Sequence, residues 1–236
     1  MRVLVPRGSA VIGRRTSLDE NESHHLRVRR AREHEEVEVL DGAGLTGTGH
    51  LVRSGSDWLV EIDSAERLPP QPSLTLAVAA GERERFTLMA EKAVELGVTR
   101  IVPLETSRTK GVASRLKNAH MGKLGRVVLE ATKQCGAAWA PEVESPVALS
   151  DFIAQPIEGH SWLADLAGEL PPLTLDDAPL TVLIGPEGGF TEGEREAIST
   201  SGYQAVLLGS LTLRFETAAL AAAAVAGSAR LRGKRG

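Results

Sequence analysis

Aromatic side chains are scarce in this chain of 236 residues: three Trp, one Tyr and four Phe supply only 3% of it. A core must therefore be aliphatic, carried by Leu, Val and Ala, and the length suits one large or two modest domains. A single cysteine, Cys135, excludes an internal disulfide framework, and no paired Cys/His spacing offers a metal site. Long apolar runs are missing too: even the alanine-rich stretch Ala218 to Ala226 is too short to span a bilayer. Met1-Arg2-Val3-Leu4-Val5 lacks the apolar region and cleavage site of a signal peptide, so a reduced, cytoplasmic setting is expected. There is no excess of positive charge. A net charge of −4 and a pI of 5.9 argue against a protein that coats nucleic acid through bulk charge.

Local charge differs from the total. Arg27, Arg29, Arg30 and Arg32 crowd one short segment, and Arg230, Arg232, Lys234 and Arg235 crowd another. The first cluster suits RNA backbone contacts on a small domain, with a solvated surface as the plain alternative; the second reads as a frayed tail.

From Met1 to Leu68 the pattern is short and strand-like. Strands are expected near Val3–Val5, Glu36–Leu40, Gly49–Arg53 and Trp58–Ile62, with turns at Asp41-Gly42 and Ser54-Gly55-Ser56 and a helix near Ser23–Arg30. Pro69-Pro70-Gln71-Pro72 reads as a stiff linker. Beyond it strand and helix alternate. Expected strands are Leu74–Ala79, Val98–Leu104 with Pro103 at its end, Ser161–Ala164, Leu180–Ile184 and Ala205–Leu208. Expected helices begin after Gly81-Glu82-Arg83, near Leu116–Gln134 with Cys135 on its packed face, at Glu192–Thr200 and at Thr217–Ala226.

The most informative stretch is Leu183-Ile184-Gly185-Pro186-Glu187-Gly188-Gly189-Phe190. A β run enters a glycine-rich turn, and Thr191 with Glu194 has the spacing of a capping box that starts a helix. Ligands of parallel α/β sheets sit beyond strand carboxyl ends, and these glycines permit close backbone approach. The turn has no lysine, which excludes a P-loop, and its glycines come too late and in the wrong order for a dinucleotide fingerprint. A turn bearing Glu187 and no positive charge suits a neutral or cationic ligand, such as adenosine with a sulfonium-bearing tail. A tight connection that binds nothing is the plain alternative.

Taken in order, several motifs together resemble the RsmE family, the 16S ribosomal RNA uracil-N3 methyltransferases of the SPOUT class. They are Gly185 to Phe190, Leu208-Gly209 and Leu213-Arg214-Phe215-Glu216-Thr217-Ala218, with Glu91 to Val98, Thr106-Ser107-Arg108-Thr109, Glu130-Ala131, Gln134-Cys135-Gly136, His24-His25-Leu26 and Asp41 to Gly44 upstream. The resemblance implies an α/β fold: a small PUA-like, RNA-binding β-barrel over 1–70 and a SPOUT methyltransferase domain with a deep trefoil knot over 73–236. It implies S-adenosyl-L-methionine as cofactor, 16S ribosomal RNA of the small subunit as partner, and a homodimer. Cofactor binding is expected at Leu104, Ile184, Gly185, Glu187, Gly188, Gly189, Leu208, Gly209 and Leu213. Catalysis is assigned to Arg214, stabilising charge on the uracil carbonyls, and to Glu216, orienting the amino-acid tail or a subunit contact, with helix capping as its plainer role. RNA binding is assigned to His25, Arg27, Arg29, Arg30 and Arg108. Three positions depart from the family pattern: Ala80 for a lysine, Ala137 for an arginine and Phe215 for a threonine. An RNA-binding assembly module that performs no transfer, and a knotted methyltransferase acting on transfer RNA, remain the other readings.

Overall fold

Alternation of apolar and polar residues in Glu36–Leu40 turns Val37 and Val39 inward and the glutamates outward, and that pattern is repeated through the first part of the chain. The computed structural model describes residues 1–55, 57–109 and 119–235. The chain forms two units, Met1–Gln71 with Leu129–Ala140, and Pro72–Val128 with Pro141–Gly236.

The first unit holds strands β1 (Arg2–Leu4), β2 (Arg15–Ser17), β3 (Glu36–Leu40), β4 (Leu45–Ser54) and β5 (Asp57–Arg67), in the sheet order β1-β3-β4-β5-β2. Of these pairs only β1–β3 is parallel. Val3, Val39, Leu51, Trp58, Val60 and Ile62 fill its core. Helix α1 (Glu20–Val28) is capped by Asp19, whose carboxylate accepts the Glu22 N–H at 2.7 Å, and it pushes Leu26 into that core. The helix starts three residues before the expected Ser23, because Asp19 rather than the apolar pattern sets its beginning. Strands β4 and β5 are each longer than expected, and β2 carried no apolar run to announce it.

Segment 129–140 joins this unit, which no sequence pattern indicated. Trp139 lies so close to Gly44 that a Cβ there would stand 2.4 Å from its ring, and its indole N–H donates to the Leu68 carbonyl at 3.1 Å. Gly44 N–H donates to Ala138 and Ala140 N–H to Gly42, at 2.8 and 3.0 Å. Asp41, buried, accepts the N–H groups of Ala43 and Leu45 at 2.7 and 3.0 Å, so this acidic turn residue organises the loop from within. Lys133 reaches Glu22 of α1 at 2.5 Å and Glu130 at 2.8 Å. Burial pushes the Glu22 carboxyl above its usual range, opposed by the ammonium beside it.

The second unit is built on an all-parallel sheet of β6 (Leu74–Ala79), β7 (Arg100–Glu105), β8 (Glu142–Val143), β9 (Val147–Ala148), β10 (His160–Glu169), β11 (Leu180–Ile184) and β12 (Gln204–Val206). The order is β12-β10-β11-β6-β7-β8, with β9 also pairing β7. Central β6 is buried along its whole length, as a strand covered on both faces must be. Pro103 sits inside β7, not at its end as expected. The outer neighbour of β7 changes from β8, opposite Arg100 and Ile101, to β9, opposite Leu104 and Glu105, and the proline falls in the gap.

Helices α2 (Arg83–Glu95), α3 (Ala119–Cys135), α4 (Leu149–Ile153), α5 (Glu192–Thr200) and α6 (Phe215–Gly233) complete the chain, α3 passing from the second unit to the first at Leu129. The expected stretch before Ala119 lies outside the described residues. Leu124, Val128 and Ala131 are the buried apolar positions of α3, with Thr132 and Lys133 buried beside them; Cys135 is exposed, against the expectation that it packs. Ala219, Ala222, Ala223 and Ala226 seat α6 against α2, β6 and β11 within the chain. The helix continues to Gly233 and is no frayed tail. Arg230 is buried and donates to the carbonyls of Pro72, Ser73 and Ala178 at 3.0, 2.8 and 2.7 Å.

Candidate functional site

Because the second sheet is parallel, the carboxyl ends of β6, β7, β10, β11 and β12 share one edge, and the segments leaving them build two cavities there. The turn Gly185–Phe190 leaves β11. Its exit is fixed by the expected capping box: Thr191 Oγ1 accepts the Glu194 N–H at 3.3 Å, and Glu194 Oε2 accepts the Thr191 N–H at 2.8 Å. Glu194 also accepts the Ser107 N–H at 2.8 Å, which ties the segment after β7 to the start of α5. Burial raises the Glu194 pKa, but the hydrogen bonds from Ser107 and Thr191 outweigh it and hold the group below its usual range.

The smaller cavity, about 230 Å³, is lined by Ile184, Gly185, Glu187, Gly189, Leu208, Gly209 and Leu213, with Ala164, Asp165, Phe190, Arg195 and Phe215 among the remaining wall. Seven of the nine residues expected to hold a cofactor thus meet around one space. A Cβ on Gly185 would stand 2.9 Å from the Phe190 ring, so backbone takes the place that a side chain would occupy. Gly188 lies across the turn, in the wall of the larger cavity. Leu104 lines neither; it is wholly buried in the core with Ala77, Val102 and Leu183, because its position in β7 points it into the sheet packing.

The larger cavity, about 630 Å³, carries Glu82, Arg85, Arg108, Thr109, Gly188, Arg214 and Phe215. Arg214 is exposed and holds the N-cap position of α6 without a side-chain capping bond. Glu216 is not on the cavity wall. Its Oε1 accepts Arg85 Nη1 at 3.1 Å, behind that guanidinium, which also donates from Nε to Glu82 at 2.8 Å; its Oε2 is buried with no partner among the described residues. Arg85 was missed by sequence reasoning, because its partner is 131 residues away. Phe215 is buried, stacks on Phe86 with ring centroids 6.4 Å apart, and leaves no room for a Cβ on Gly81.

Positive charge flanks the glycine turn, although the turn itself has none. Arg108 Nη1 donates to the Gly189 carbonyl at 3.2 Å, and Arg195 reaches the same glycine from α5. The sequence shows the turn to be free of cations but does not show that Arg108 and Arg195 stand beside it.

In the first unit, His25, Arg27, Arg29 and Arg30 are all exposed on α1 and its end. Arg30 takes a left-handed backbone, φ 55°, at the position that closes the helix: its N–H donates to Arg27 and that of Ala31 to Leu26, both at 3.0 Å. Among the described residues no cluster of His, Cys, Asp or Glu has metal-binding geometry, and no helix is long and apolar enough to cross a membrane.

Two family descriptions match the chain: an RNA methyltransferase domain over residues 69–227 and an RNA methyltransferase PUA domain over residues 18–59. A ribosomal RNA small subunit methyltransferase E of Aquifex aeolicus is 30% identical over 205 residues, 85% of this chain and 89% of that protein. The protein of the same name from Rickettsia conorii is also 30% identical, over 64% of this chain and 63% of its own length. Among solved structures, a ribosomal RNA small subunit methyltransferase E from Neisseria gonorrhoeae bound to S-adenosyl methionine superposes with a TM-score of 0.79 at 29% identity, covering 94% of both chains. With its paired domains, its parallel sheet and its glycine turns at one sheet edge, the chain belongs to the RsmE family of RNA methyltransferases.

Proposed function

We propose that this chain is an S-adenosylmethionine-dependent methyltransferase that modifies N3 of one uridine in the 16S ribosomal RNA of the small subunit, working in the cytoplasm as a homodimer. Residues 1–70, joined by the returning segment 129–140, would hold RNA, and residues 73–236 would carry the transfer. The observation that carries this reading is the meeting of Ile184, Gly185, Gly189, Leu208, Gly209 and Leu213 around one cavity, beside a larger one lined by three arginines.

The residues present fit the donor. A cradle of backbone with the apolar side chains of Ile184, Leu208 and Leu213 suits an uncharged adenine, and Glu187 suits a nearby cation. S-adenosylmethionine, when bound, supplies an electrophilic methyl group. The chain must then do three things: draw the base out of its RNA context, orient it, and help N3 release its proton. Negative charge that develops on the flanking carbonyl oxygens would be met by Arg214, with Arg108 on the same wall. Glu216 would act through Arg85, and Leu104 would act by packing behind the strand end. Arg27, Arg29, Arg30 and His25 would position RNA through its backbone.

Mass mapping of small-subunit RNA from cells lacking this protein is expected to show one uridine without a methyl group, restored by the wild-type chain and not by Arg214→Ala. An unchanged small-subunit RNA, or a methyl missing from transfer RNA instead, would overturn the assignment.

A further inference from the structure

Among the described side chains lining the smaller cavity, only Asp165, Glu187, Arg195 and Thr212 are polar, and Arg195 is the one cation. Arg195 stands in the first turn of α5. Its Nη1 donates to Asp165 Oδ2 at 2.6 Å, and its Nη2 comes within 3.7 Å of where a Cβ of Gly189 would stand. Asp165 is itself held, because its Oδ1 accepts the Ala167 N–H at 3.0 Å and only 15% of its side chain is exposed. The guanidinium is thus anchored on one side with N–H groups to spare, and half of its side chain remains accessible.

The donor proposed above has an uncharged base and sugar, a cationic sulfonium, an ammonium and one anionic group, the carboxylate of its amino-acid tail. We propose that Arg195, oriented by Asp165, receives that carboxylate and so reads the tail of the donor. A planar guanidinium with one edge tied back is suited to a carboxylate, and a point charge such as lysine would not be held in the same way. Asp165 is the positioning residue: both its oxygens already accept hydrogen bonds, which leaves Arg195 as the group facing the ligand.

The inference rests on the donor reading and is separated from it by the choice of ligands. Calorimetry on the full chain would compare S-adenosylhomocysteine, which has the tail, with 5′-methylthioadenosine, which lacks it, and S-adenosylmethionine with its decarboxylated form, which lacks only the carboxylate. The wild type is expected to bind S-adenosylhomocysteine at least about tenfold more tightly than 5′-methylthioadenosine, the discrimination of one charge-assisted hydrogen bond. Arg195→Met is expected to lose most of that preference while its affinity for 5′-methylthioadenosine stays unchanged. It should also cease to distinguish the decarboxylated donor, and Asp165→Asn should lose part of the preference. A preference kept in Arg195→Met, or an equal loss for tailed and tailless ligands, overturns the proposal. Wild-type protein that binds both ligands equally refutes it while leaving the donor site standing; wild-type protein that binds neither ends both readings.

Discussion

The glycine-turn edge of the second unit and the arginine face of the first are built from opposite materials. At the turn, glycine backbone forms part of the cavity wall among apolar side chains, and at Gly185 an added side chain is excluded by crowding, since the Phe190 ring stands 2.9 Å from the place of its Cβ. On α1 the side chains are exposed and the backbone is an ordinary capped helix. A site made of main chain tolerates almost no added atoms. One made of extended side chains tolerates shape changes but is sensitive to charge and to salt.

That contrast breaks most sharply at Lys133, a buried ion pair inside the otherwise tolerant first unit. Lys133→Met should destabilise the protein by about 3 kcal/mol, because Glu22 is left buried without its partner. Burial already lifts the folded Glu22 pKa above its usual 4.5. The folded state therefore holds that proton more tightly than the unfolded state, and the deficit should shrink as pH falls toward the ordinary carboxylate range. Thermal melts at several pH values would check both the size and the direction. Next in size, Gly185→Val should weaken S-adenosylhomocysteine binding about a hundredfold, the upper end of what overpacking costs; calorimetry that finds unchanged affinity would end the claim that backbone forms the wall.

On the other side of the comparison, Arg27→Ala with Arg29→Ala should weaken RNA association and reduce its logarithmic salt slope by about 2, one for each phosphate that is no longer neutralised. A filter-binding salt series reads this directly, and an unaltered slope would return α1 to plain solvated surface. Arg30→Gly sharpens the point because it should move two quantities in opposite directions. Relief of the left-handed backbone should stabilise the fold by up to about 1 kcal/mol, while RNA affinity falls. The smallest effect belongs to Glu194→Gln, about 0.5 kcal/mol at neutral pH, since glutamine preserves the capping geometry. Glu194 is held below its usual 4.5, so its contribution is present above that value and is lost as pH falls through the depressed one. Melts of the wild type and the variant should therefore converge in acid.

Local features were legible in the sequence and distant ones were not. Strand β11 and helix α5 have the expected bounds, because an apolar β run, a glycine turn and a capping box are all contained in neighbouring residues. Seven of the nine cofactor residues that the resemblance implies line one cavity. Hidden from the sequence were Arg195 with Asp165, 30 residues apart, and Glu216 with Arg85, 131 apart. No periodicity encodes which side chains will meet once strands have been ordered in a sheet. Nor could it place 129–140 against the first unit, since Trp139 finds Gly44 only after the chain has folded back. Leu104, expected among the cofactor residues, is buried in the core instead: a strand end has two faces, and the sequence does not say which one looks outward.

Arg230 has a bearing on synthesis as well as on stability. Its guanidinium satisfies the carbonyls just ahead of the two middle strands, at Pro72 and Ser73 before β6 and at Ala178 before β11. The first of these lies 158 positions earlier, so this fastening, unlike the bonds that Thr99 and Leu180 make to Leu74 and Ser73, is completed only when residue 230 has been made. Helix α6 is thus pinned at both ends of its alanine face, by the Phe215 ring against Phe86 at its start and by the Arg230 guanidinium near its finish.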